Sequence, residues 1–161
     1  MRLFLPHLAS TEALGRAMAQ GVQRTKHIVP MLFEGALGSG KTTLIRAMVE
    51  ALPGGKDAEV SSPSFTVCNM YPTIPETVHY DMYRLQNMGL DASYYEFLDE
   101  GNVLLLIEWA QYIPVTEWPD EWLLFRWHPC DEGRLVEITF RGAAAEELLI
   151  AAALHTCMQG R

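Results

Sequence analysis

The run Gly35-Ala36-Leu37-Gly38-Ser39-Gly40-Lys41-Thr42 has the spacing G-x-x-x-x-G-K-[ST]. Residue types in that order suit one task, holding a polyphosphate. Glycines let the backbone curl until several N–H groups point at one anion. A helix opening directly behind the loop adds the positive end of its dipole. At this spacing Lys41 reaches the β- and γ-phosphates of a nucleotide, and the Thr42 hydroxyl is offered to Mg²⁺. Gly35, Leu37, Gly38, Ser39, Gly40 and Thr43 are the remaining phosphate-cradling positions of the same loop.

Hydrolysis on such a loop needs carboxylates near the metal and the attacking water. Two stand at the ends of apolar runs. Asp81 closes Thr77-Val78-His79-Tyr80, and Glu108 follows the run VLLLI from Val103 to Ile107. In an open α/β sheet the ligand crevice lies beyond the carboxyl ends of the strands. Both side chains are therefore expected to face the phosphates as metal-site and catalytic groups, the alternative for each being a solvated loop carboxylate. Whether Glu108 ligates the metal or acts as a general base stays open, since one residue can do either through a water. Trp109 follows Glu108 directly and is expected to shape the crevice.

Other chemistry-bearing residues carry weaker patterns. The histidines His7, His27, His79, His128 and His155 are scattered without metal-ligand spacing. Cys68, Cys130 and Cys157 form no CxxC pair, which supports neither a zinc site nor a disulfide framework and reads as reduced thiols. No Asn/Thr-Lys-x-Asp guanine reader is present, which favours ATP over GTP. Arg84 and Arg126 stand alone rather than in an arginine-rich lid, which weakens a small-molecule kinase reading. A non-hydrolysing nucleotide sensor is the third reading open at this point.

The elements around these residues follow from periodicity and punctuation. Leu3 to Leu5 reads as a short strand. Ser10 reads as the N-cap of a helix with Glu12 in its first turn, Ala13, Leu14, Ala17 and Met18 on its apolar face, and an end near Gly21. Pro30 delays the next strand to about Met31. Thr42 to Leu52 is helical until Pro53-Gly54-Gly55 stops it. Glu59 to Tyr71 reads as extended with a break at Ser62-Pro63, Thr77 to Asp81 as a strand, Tyr94 to Leu98 as a short helix, and Val103 to Ile107 as a buried strand. Trp122–Trp127 and Arg134–Phe140 read as a hairpin, and Ala143 to Cys157 as a closing helix. The four tryptophans, Trp109 aside, are expected to pack in the core or at its edge. The expected fold is α/β: a single P-loop domain over residues 1–161, with a mixed, mostly parallel central sheet flanked by helices and antiparallel strands at its edges.

Bulk properties set limits. The 161 residues carry 12 Lys+Arg against 20 Asp+Glu, a net charge of −8, with no basic cluster. Tight, direct nucleic-acid binding by this chain alone is therefore disfavoured. No apolar run approaches the ~20 residues of a membrane span, and the N-terminal apolar stretch is too short for a signal peptide. The expected location is cytoplasmic.

Taken together, four segments resemble the TsaE (YjeE) family. They are the loop Gly35 to Thr43, Ser61-Ser62-Pro63-Ser64-Phe65-Thr66, His79-Tyr80-Asp81-Met82-Tyr83-Arg84-Leu85, and Ile107-Glu108-Trp109. Order and spacing fit along nearly the whole chain. The resemblance implies an ATPase, weak alone, that supports threonylcarbamoylation of the adenosine next to the tRNA anticodon. It implies work with the transferase subunit TsaD and its partner TsaB, with ATP and Mg as cofactors. It also implies nucleotide-flanking positions at Thr11 and Arg134 and a phosphate or Mg²⁺ contact at Ser64, where the family usually has Thr. Ala36 stands where that family commonly has Asp or Glu.

Overall fold

The computed structural model describes residues 1–63, 67–86 and 89–152. Seven strands form one sheet: β1 (Arg2–Leu5), β2 (Met31–Glu34), β3 (Cys68–Tyr71), β4 (Thr77–Asp81), β5 (Leu104–Glu108), β6 (Trp122–His128) and β7 (Arg134–Arg141). Their spatial order is β1-β7-β6-β2-β5-β4-β3. The four central strands β6, β2, β5 and β4 run parallel. The pairings β1–β7, β7–β6 and β4–β3 are antiparallel. The mixed sheet with antiparallel edges is thus as the sequence pattern implies. Of the central strands, β5 (LLLIE) shows the apolar run of a strand buried on both faces, and β4 (TVHYD) is equally buried but carries polar side chains at every second position.

Helices α1 (Leu8–Thr25), α2 (Lys41–Ala51) and α4 (Ala143–Ala151) cover one face, and α3 (Ala92–Glu100) lies over the other. Because strand side chains alternate between faces, β2, β5 and β6 feed both cores. Met31, Phe33, Leu104, Leu106, Leu123 and Phe125 point toward α1, α2 and α4. Leu32, Val78, Tyr80, Leu105 and Ile107 point toward α3 and the turns around Trp109 and Tyr112. Phe33 stacks on Phe125 with ring centres 5.1 Å apart, locking β2 to β6 beneath the glycine loop.

Several boundaries differ from the sequence reading. Helix α1 starts at Leu8 with His7 at its N-cap rather than Ser10, and it continues to Thr25, where Lys26 in the left-handed region ends it. Gly21 is therefore no stop. A β-carbon there would lie 2.8 Å from the Leu148 carbonyl oxygen and 3.2 Å from the Ala152 β-carbon, so the glycine lets α1 and α4 touch. Glu108 is the last residue of β5 rather than the residue after it, and Val103 lies just outside the strand. Only Cys68–Tyr71 of the extended 59–71 stretch pairs as a strand among the described residues. Helix α3 is longer than expected because Asp91 caps it, accepting from the Tyr94 N–H. The hairpin strands run one residue further each, to His128 and Arg141. The closing helix is described to Ala151, and the rest of its expected span, with His155 and Cys157, lies outside the described residues.

Gly15 gives the firmest test of this packing. A β-carbon there would meet the Leu44 carbonyl oxygen at 2.6 Å and the Ala47 β-carbon at 2.9 Å. On helix propensity alone Gly15→Ala would gain ~1 kcal/mol. Overpacking between α1 and α2 dominates instead, and we expect a loss of ~1–3 kcal/mol by urea denaturation. A stabilised variant would contradict the close approach.

Candidate functional site

The loop between β2 and α2 turns on glycines in the left-handed half of backbone space: Gly35 at φ 153°, Gly38 at 73° and Gly40 at 112°. At Gly35 a side chain is excluded as well, since a β-carbon would lie 2.8 Å from that of Trp127 and 3.0 Å from Ser39 Oγ. Gly40 occupies the N-cap of α2, and no side chain caps this helix. The amides of its first turn are therefore left for something other than the protein to satisfy. Ser39 Oγ and Trp127 Nε1 are buried beside the loop without a partner among the described residues. A buried orphan costs about 1–3 kcal/mol, so groups of this kind concentrated at one loop point to an acceptor that completes the site.

Lys41 is 4% exposed. Its Nζ donates to the carbonyl oxygens of Gly35 and Ala36 at 2.9 and 3.0 Å, and it sits 4.0 Å from the centre of the Trp109 ring. Burial pushes the ammonium below the usual lysine range, and the nearby carboxylates of Glu108 and Asp81 oppose that shift. The cation is thus held on weak, neutral acceptors and a ring face, ready for a stronger anion.

Across from the loop stand the two strand tips. Parallel register pairs Asp81 with Glu108, at the ends of β4 and β5. Alternation places His79, Asp81, Leu106 and Glu108 on the face that α2 covers. The Thr42 hydroxyl donates to Glu108 Oε1 at 2.6 Å. Asp81 accepts from the Ser62 hydroxyl through Oδ2 and from the Tyr83 N–H through Oδ1 at 2.9 Å. Both carboxylates are 2% exposed. Trp109 turns the chain at φ 60°, a conformation that costs a non-glycine residue about 1–3 kcal/mol. Its ring is held by stacking on Tyr112 at 5.9 Å and by Tyr83 at 4.9 Å.

These groups surround one cavity of about 460 Å³. It is lined by Leu37, Gly38, Ser39, Gly40, Lys41, Thr42 and Thr43 from the loop and α2, and by Asp81, Glu108, Trp109 and Arg134. Ser62, Tyr83 and Arg84 complete the lining and are the members that sequence reasoning missed. All three lie inside the family-like segments, which was the available signal. Gly35 takes part through its carbonyl oxygen. Thr11 does not line this cavity. It is buried in an adjoining recess of about 150 Å³ that shares Gly40, Thr43 and Arg134 with it. Arg126 faces elsewhere, bonded through Nε to Glu34 at 2.6 Å. Ser64 lies outside the described residues.

Three cations, Lys41, Arg84 and Arg134, and two carboxylates share the cavity wall. Among the described residues no group of three or more His, Cys, Asp or Glu could cage a metal unaided. One or two carboxylates beside a hydroxyl suit Mg²⁺, which keeps waters and takes its remaining ligands from phosphates. The donor set thus fits a polyphosphate with a magnesium ion. No helix among the described residues is long and apolar enough to cross a membrane.

A parallel sheet whose central strand feeds a glycine loop into a helix, with acidic neighbours at the adjacent strand tips, defines the P-loop α/β class. Comparison with known proteins narrows that class. A family model described as "Threonylcarbamoyl adenosine biosynthesis protein TsaE" matches residues 5–136. A protein of Aquifex aeolicus described as tRNA threonylcarbamoyladenosine biosynthesis protein TsaE is 34% identical over 105 residues, 65% of this chain and 74% of that one. Its Synechocystis counterpart is 33% identical over 119 residues, covering 71% and 73%. Among solved structures, YdiB of Bacillus subtilis superposes with a TM-score of 0.70 over 97% of this chain and 95% of its own, at 23% identity, which speaks for the fold. This chain belongs to the TsaE family.

The lysine's burial yields a sign-definite prediction. Between the lowered folded-state pKa of Lys41 and the ordinary lysine value, the unfolded chain binds more protons than the folded one. Stability contributed by this group therefore rises with pH across that window. We expect the stability difference between wild type and Lys41→Met to move toward wild type as pH is raised through the window, measured by urea denaturation. A flat difference would show that the ammonium is not desolvated.

Proposed function

We propose that this chain is an Mg²⁺-dependent ATPase acting as an accessory component of tRNA threonylcarbamoyladenosine biosynthesis, in the cytoplasm, with the TsaD–TsaB complex as its partner. The observation that carries the reading is the pairing of Thr42 with Glu108 across the cavity, with Lys41 beside them and Asp81 in register.

In this reading the loop amides and Lys41 hold the β- and γ-phosphates, and Lys41 exchanges two carbonyl oxygens and a ring face for phosphate oxygens. Thr42, Asp81 and Glu108 are the groups that would hold Mg²⁺, which when bound neutralises charge on the phosphates. A hydroxyl can donate its proton to Glu108 and still offer a lone pair to a cation, so the bond to Glu108 aims Thr42 rather than consuming it. Asp81, restrained by Ser62 and the Tyr83 N–H, presents its carboxylate without a search over rotamers. Glu108 serves the metal and the attacking water. Arg134 and the recess at Thr11 flank the rest of the nucleotide. Exposed Leu37 at the loop tip and Tyr83 at the rim are apolar groups that a partner can cover, consistent with turnover that is weak alone. A net charge of −8 leaves contact with tRNA to the partners.

The test separates binding from chemistry. Lys41→Ala is expected to weaken ATP and ADP affinity by about 10–100-fold in calorimetry, as for loss of a charge-assisted bond. Glu108→Ala and Asp81→Ala are expected to keep nucleotide binding and lose about 100-fold or more in turnover, with and without TsaD–TsaB. Unchanged affinity in the lysine variant would remove the nucleotide assignment, and wild-type rates in both carboxylate variants would remove the catalytic one.

A further inference from the structure

One buried polar side chain beside the cavity has no part in the chemistry above. His79 stands in β4 between Val78 and Tyr80 and is fully buried. Alternation puts it on the α2 face, one strand repeat before Asp81. Its Nε2 lies 3.0 Å from Glu108 Oε1, the same oxygen that accepts the Thr42 hydroxyl at 2.6 Å. Its Nδ1 is buried and has no partner among the described residues. An apolar residue at this position would continue the core and leave no orphan nitrogen, so packing gives no reason for an imidazole here.

The hydrogen-bond partner fixes which nitrogen faces Glu108 as a donor. A carboxylate oxygen can only accept. Nε2 therefore carries a proton and donates it to Oε1. Among the described residues both side-chain hydrogen bonds to the Glu108 carboxylate land on Oε1, so Oε2 is the oxygen that neither donor holds. One donor comes from β4 and the other from α2. With the Thr42 bond alone, the carboxylate could rotate and exchange its oxygens. A second donor from a rigid strand removes that freedom.

We propose that His79 is a positioning residue that, by donating Nε2–H to Glu108 Oε1, holds the carboxylate with Oε2 committed to the metal and the attacking water. This rests on the reading of Glu108 as the group that serves them, so the experiment carries Glu108→Gln as its control.

The variants are His79→Leu, which deletes the donor, His79→Gln, whose amide can restore it, Glu108→Gln, and the double variant His79→Leu/Glu108→Gln. The protein is the full chain, with ADP, ATP and Mg²⁺ as probes. His79→Leu is expected to melt no lower than wild type and to bind ADP without Mg²⁺ within about twofold. The increase in nucleotide affinity on adding Mg²⁺ is expected to shrink, and kcat to fall about 10–100-fold at near-constant KM, the usual effect of removing an outer-shell partner. His79→Gln is expected to recover most of both. The double variant is expected to be no slower than Glu108→Gln alone. A His79→Leu protein with the wild-type Mg²⁺ increment and kcat would overturn the proposal, as would losses that multiply in the double variant. A Glu108→Gln protein that turns over like wild type would remove the underlying reading and this inference with it. If His79→Leu does not fold, nitrogen NMR of wild-type imidazoles decides: a His79 that carries a proton on Nε2 supports the assignment, and one protonated at Nδ1 alone sinks it.

Discussion

The arrangement depends on a period of two. Strand side chains alternate, and β4 and β5 run parallel in register, so Asp81 stands beside Glu108 and both share a face with the start of α2. A slip of one residue in either strand would turn its carboxylate toward α3 and away from the loop. What resists the slip is burial. β4 and β5 are buried at every position; β5 gives Leu104 and Leu106 to one core and Leu105 and Ile107 to the other, and β4 gives Val78 and Tyr80 to the α3 core. Reversing one strand would exchange Val78 and Tyr80, packed toward α3, for His79 and Asp81. The hydrophobic effect thereby specifies where two charges sit.

The same sheet sets the height of the glycine loop. Phe33 on β2 stacks on Phe125 of β6, and Trp127, two residues on, packs against Phe33 at 6.3 Å and closes beneath Gly35. The loop rests on an aromatic floor that leaves no room for a side chain at Gly35. Above it, the hydrogen bond from Thr42 to Glu108 ties the first turn of α2 to the tip of β5. The loop and carboxylate sides of the cavity are thereby tied to each other. Its rim, at Leu37 and Tyr83, is exposed.

Several strained and unsatisfied groups stand around this cavity. Trp109 adopts a left-handed conformation, Lys41 is a desolvated cation, and Ser39 Oγ, Trp127 Nε1 and His79 Nδ1 are buried without partners among the described residues. Away from the site local preference and tertiary packing agree where Asp91 caps α3 and the apolar stripe of α2 meets the sheet, and part at Gly15 and Gly21, where helix contacts override propensity. Conflict between local rule and global structure is expected where a site is built to receive a ligand.

The sequence alone determined the loop and its helix, the parallel centre with antiparallel edges, the strand Thr77–Asp81, and Asp81, Glu108 and Trp109 as tip residues. These are legible because glycine, lysine and threonine at fixed offsets, and short apolar runs ending in a carboxylate, are local patterns. Tertiary structure alone decided the rest. Gly21 looks like a helix stop by propensity, yet it is a contact point, because Leu148 arrives against it from 127 residues away in the chain. His79 looks like one of several scattered histidines until parallel pairing brings Glu108 within 3.0 Å. Ser62 becomes a partner of Asp81, and Thr11 falls into a side recess, through chain crossings that leave no local mark. Residues far apart in the chain meet only through strand register and helix packing, and no spacing rule encodes those.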